Sequence, residues 1–103
     1  MNSYVVNLYP VPNDGHPGQT LDVDNNAIYQ FSVPLDYKTT CCYITATGHD
    51  FYVTFDGSTP TTTNGHHIIV PFAGWWSKEA TRVAKMKGTG GGATHITFSQ
   101  FSY

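Results

Sequence analysis

The stretch DFYVTFDGSTPTTTNGHHIIVP, Asp50 to Pro71, decides the reading of this chain. Phe51, Val53 and Phe55 alternate with Tyr52, Thr54 and Asp56, and a period of two places one set on a buried face and the other outward. Asp56-Gly57 closes the run with a turn pair, since glycine tolerates positive φ and aspartate bonds its own backbone. Ser58 to Gly65 is a threonine-rich polar loop holding Pro60 and ending in Asn64-Gly65, and the apolar run Ile68 to Val70 then stops at Pro71. The unit is strand, long polar loop, strand. It contains no nucleophile–base pair and no ligand cluster, which points to a mechanical or adhesive role rather than a catalytic one.

Outward from this unit, the chain has the size of one domain, with 103 residues. A chain of this mass buries about 65% of its unfolded surface, enough for a single modest core. Charged residues make up only 12%, with threonine, tyrosine, phenylalanine and glycine in their place. That is a β-rich composition, and a surface this poor in charge implies cover by other chains. Five Lys and Arg with a net charge of −2 leave no basic patch for nucleic acid. Cys41 and Cys42 are adjacent and on a strand point to opposite faces, so one or both read as small buried residues rather than a disulfide. The start, Met-Asn-Ser-Tyr-Val-Val, has neither the basic nor the apolar region of a signal peptide, and no apolar run approaches a membrane span.

Taken in order, Tyr4 to Leu8 is a β-like segment cut off by Pro10-Val11-Pro12. Residues 1–12 read either as an extended N-terminal arm lying on a neighbour or as an edge strand of the same domain. Thr20 to Val23 is a short strand, Asp24-Asn25-Asn26 a turn and Ala27 to Val33 an alternating strand. Cys41 to Thr47 follows, with Cys42, Ile44 and Ala46 on one face, and Gly48-His49-Asp50 turns it into the Phe51 strand as a hairpin. Ser77 is placed to cap one helical turn, Thr81 to Met86 reads as a strand, and Lys87 to Gly92 reads as a glycine-rich hairpin loop. Ala93 to Phe101 is the last strand, with Thr94, Ile96, Phe98 and Gln100 on one face. The expectation is one all-β domain over residues 1–103, a compact antiparallel β-sandwich or jelly-roll-like barrel of seven to eight short strands.

Reactive constellations are absent from the pattern. His16, His49, His66, His67 and His95 lack the spacing of a metal site. Asp22-Val23-Asp24-Asn25-Asn26 has alternating oxygens but neither the glycine nor the closing glutamate of an EF-hand loop. KGTGGG at Lys87 to Gly92 lacks the Gly-Lys-Thr of a phosphate loop. No cofactor, metal or catalytic residue is expected. Trp75 and Trp76 are the most informative aromatics: on a strand one enters the core and the other is exposed, where it meets a partner or a sugar ring.

Residues 41–99 resemble a pattern in small structural proteins of tailed bacteriophages. There a polar-aromatic-Val-x-Phe strand precedes Asp-Gly-x-x-Pro-Thr-Ala-Thr, a glycine and an apolar run. A glycine-rich turn and a Leu-His-Ile-Thr-like strand follow, matched here by Gly88 to Gly92 and Thr94-His95-Ile96-Thr97. The chain departs from the pattern at Trp75-Trp76 and at His66-His67. The resemblance implies a non-enzymatic virion protein, a capsid decoration (cement) protein on the capsid surface, assembled in the host cytoplasm. It further implies a homotrimer bound to the major capsid protein, with no nucleic acid or membrane partner. Tail, collar or fibre-base accessories share the pattern, and a small carbohydrate-binding module using Trp75 and Trp76 is the alternative from another class. The candidate contact residues are Tyr4, Val5 and Val6 on the arm, with Trp75 and Trp76.

Overall fold

A computed structural model of the chain describes residues 8–11 and 18–102. In chain order its elements are β1 (Tyr9–Pro10), β2 (Gly18–Val23), β3 (Cys41–Gly48), β4 (Phe51–Thr54), β5 (His66–Ile68), β6 (Phe72–Ser77), α1 (Lys78–Val83), β7 (Lys85–Gly88) and β8 (Thr94–Ser102). The strands form two antiparallel sheets, as the sequence leads one to expect of a sandwich. In the five-stranded sheet β8 lies between β3 and a broken edge made of β1 and β2, and β6 flanks β3. The three-stranded sheet has the order β5-β4-β7.

Alternation decides which residues meet between the sheets. β3 sends Cys42, Ile44 and Ala46 inward and β8 sends Ile96 and Phe98, all fully buried. Phe51 and Val53 from β4 and Met86 from β7 close the same core from the other layer. Burial also pushes the Cys42 thiol up, consistent with an inert core residue, and both cysteines are free. Ser77 caps α1 as expected: its hydroxyl accepts from Ala80 N at 3.0 Å, and Arg82 Nε donates to Glu79 at 3.0 Å.

Four local expectations are corrected. β3 and β4 are no hairpin. Both edges of β3 are already paired, with β6 and β8, so after Gly48 (φ +98°) the chain crosses to the other sheet. The glycine-rich segment is likewise a crossover from β7 to β8 rather than a hairpin loop. Thr81 to Met86 is not one strand; helix α1 runs to Val83 before β7 begins. Ala27 to Val33 forms only a single bridge, Tyr29 with Met86. Its later amides are taken by a side chain: Gln19 Oε1 accepts from Ser32 N at 2.8 Å and Val33 N at 3.1 Å. Of the segment read as arm or edge strand, Tyr9 and Pro10 pair with Ser102 and Phe101, and Val11 is buried.

A second glutamine anchors the next segment. Buried Gln100 accepts from Asp36 N at 2.8 Å and Thr39 Oγ1 at 2.6 Å, and its Nε2 donates to Pro34 O at 3.2 Å. Leucine at this site keeps the bulk and removes the partners. Gln100→Leu is expected to destabilise the fold by about 2 kcal/mol or more in chemical denaturation, the cost of stranding buried polar groups. A loss below about 0.5 kcal/mol, typical of neutral surface changes, contradicts this role.

Candidate functional site

The outward residues of the five-stranded sheet fall into rows across the strands. One row runs Gly18, Ser99, Tyr43, Trp75; the next runs Thr20, Thr97, Thr45, Ala73. Pro10, Phe101, Cys41 and Ser77 form a third, and Asp22, His95 and Thr47 a fourth. Asp22 is the only Asp, Glu, Lys or Arg among these rows, and it pairs with His95, whose Nδ1 lies on Asp22 Oδ1. The centre is hydroxyl-bearing, with Thr20 and Thr97 hydroxyls 3.0 Å apart. The opposite end is aromatic.

There Trp75 is 49% exposed, an unusual position for so large an apolar ring. It is held in place. Its ring centroid lies 4.9 Å from that of Tyr43 and 5.1 Å from that of Phe101, the latter edge-on at 78°. Such contacts restrict the rotamers open to the indole. Trp76, expected among the contact residues, points the other way. It is buried and meets Phe55 edge-on at 5.0 Å. The two tryptophans therefore do not form a paired sugar platform. Tyr4, Val5 and Val6 lie outside the described residues. Tyr43 and Phe101 are additions the sequence reading did not make: their outward direction was legible, but not the register that sets them against Trp75.

The histidines do not converge. His67 pairs with Asp50 at 3.2 Å, His66 lies beside Phe55, and His49 sits against Gly91 and Gly92. Among the described residues no three His, Cys, Asp or Glu side chains come together. His16 lies outside them. Asp24 is an Asx turn, its Oδ1 accepting from Asn26 N at 2.9 Å and Tyr29 Oη at 2.8 Å. The Ser58–Gly65 loop is tied to itself, with Asn64 Nδ2 donating to Thr59 O at 2.9 Å and Pro60 fully buried. Among the described residues no helix is long and apolar enough to cross a membrane. In comparisons with known proteins the chain matches no family model, no curated protein and no solved structure.

Asp50 links this geometry to pH. The Val70 N–H on Oδ1 at 3.0 Å, aided by His67, holds its carboxyl below the ordinary value of 3.8. A depressed folded pKa gives stability that is complete above 3.8 and lost as pH falls through the lower folded value. The Val70 amide shift, followed by NMR, is expected to titrate with a midpoint below 3.8 and to lose that titration in Asp50→Asn. A midpoint at or above 3.8 contradicts the contact.

Proposed function

We propose that this chain is a non-enzymatic virion structural protein, a capsid decoration protein that self-associates and binds the major capsid protein. The observation that carries the reading is the outer face of the five-stranded sheet, where a half-exposed, preorganised Trp75 borders rows of hydroxyl and small side chains. A pre-set aromatic anchor surrounded by uncharged groups is the make-up of a protein–protein contact centre. The resemblance over residues 41–99 supplies the setting, a phage head, and the trimeric order. Occupying several shell subunits at once makes individually weak contacts add.

The test is co-sedimentation with assembled phage heads, alongside light scattering of the free protein. Trp75→Ala is expected to weaken attachment by roughly 30-fold, the effect of losing an anchor worth ~2 kcal/mol, with the circular dichroism spectrum unchanged. Deleting residues 1–7, which leaves the Tyr9–Pro10 pairing intact, is expected to weaken attachment more than folding. A protein that is monomeric and absent from particles overturns the proposal.

A further inference from the structure

The outer side of the three-stranded sheet carries a second feature, on the layer opposite the Trp75 face. His67, Tyr52 and Lys87 form a row across β5, β4 and β7. Beside this row lies a cleft of about 320 Å³ lined by Tyr52, Lys87, Asn25, Thr61, Thr62 and Thr89. That volume sits at the low end for ligand sites and suits one small ring rather than an extended chain.

The basic side chains single it out. Lys38 lies over the Tyr37 ring at 5.6 Å, Lys78 donates to Asp36 O at 2.9 Å, Lys85 donates to Gly57 O at 2.9 Å, and Arg82 pairs with Glu79. Lys87 completes the five, and among the described residues its ammonium meets no hydrogen-bond, ion-pair or ring partner. The Tyr52 hydroxyl, the Thr62 hydroxyl and the Asn25 amide, in the same lining, also have no hydrogen-bond partner among the described residues. No carboxylate is in the lining. The cleft thus combines one cation, three uncommitted polar groups and the ring of Tyr52.

The geometry points to a binding site for an acidic saccharide: a single sugar ring whose carboxylate meets Lys87, whose hydroxyls bond Thr62, Asn25 and the Tyr52 hydroxyl, and whose C–H face lies on the Tyr52 ring. Each uncommitted group of the lining then has a use. A neutral sugar leaves the free ammonium unmatched. A bare phosphate leaves the ring and the amide unused, and finds here one lysine rather than the backbone N–H cradle or arginine fork such anions favour. The inference does not depend on docking by the other sheet.

The test is an NMR titration of the labelled protein with glucuronic acid, glucose and inorganic phosphate. Saturable amide shifts at Tyr52, Thr61, Thr62, Lys87 and Thr89 are expected with glucuronic acid, with a Kd on the order of 1 mM for so small a ligand. Glucose is expected to bind about tenfold more weakly, and Lys87→Gln to lose about tenfold for glucuronic acid, the loss of one charge-assisted bond. Lys87 stands outward on a sheet edge, so this variant keeps the fold. Trp75→Ala is expected to leave the titration unchanged, which separates this site from the docking face. Absence of saturable shifts in the cleft, equal binding of glucose and glucuronic acid, full binding by Lys87→Gln, or phosphate matching glucuronic acid each overturns the assignment.

Discussion

The register between β3 and β8 is the constraint on which the rest of the molecule depends. Eight residues of β3, Cys41 to Gly48, face Phe101 to Thr94 in antiparallel order. With a side-chain period of two, a slip of β3 by one residue against β8 would turn Cys42, Ile44 and Ala46 outward and bring Tyr43 and Thr45 into the core beside Ile96 and Phe98. The same register that closes the core therefore composes the outer face. Tyr43 and Phe101 reach Trp75 only because β3 pairs with β6 on one side and β8 on the other.

The second layer follows from strand availability. Once β3 has both neighbours, the Phe51 strand finds no edge there, and its buried side joins the core from across the sandwich. The connection between β2 and β3 contributes no regular strand to either layer. Gln19 and Gln100 hold it instead, by presenting amides to backbone groups at Ser32, Val33, Pro34 and Asp36. A side-chain amide that matches a peptide group is a substitute for a ladder, and buried it must be matched almost completely.

This explains which parts were legible in the sequence. The β class, the buried faces of β3, β4 and β8, and the Ser77 cap all follow from local periodicity and turn chemistry. Ala27 to Val33 alternates as well as any true strand, and nothing within it reveals that Gln19 already occupies its amides. The apparent hairpin at Gly48-His49 failed for a similar reason: which strand an edge accepts is settled by its other neighbours, not by the turn between two runs. Trp75 and Trp76 separated as alternation requires, but the rings that hold Trp75 in place come from positions 43 and 101. The Tyr52–Lys87 cleft was hidden for the same reason, being assembled from four separate stretches of chain.

The scarcity of charge then takes on a definite meaning. Of the five Lys and Arg groups, four are occupied by neighbours within the fold, and Asp22 pairs with His95 at the edge of the Trp75 face. Little net field is left to act at a distance, so the docking face and the saccharide cleft proposed above would work through contacts made at close range. On one layer these are an aromatic ring fixed by two others and the hydroxyls beside it. On the other, the Lys87 ammonium, without a partner among the described residues, sits among polar groups that likewise have none there. A chain that spends its few charges internally leaves each remaining one conspicuous, which is why Lys87 carries more weight here than a surface lysine does in a protein of ordinary composition.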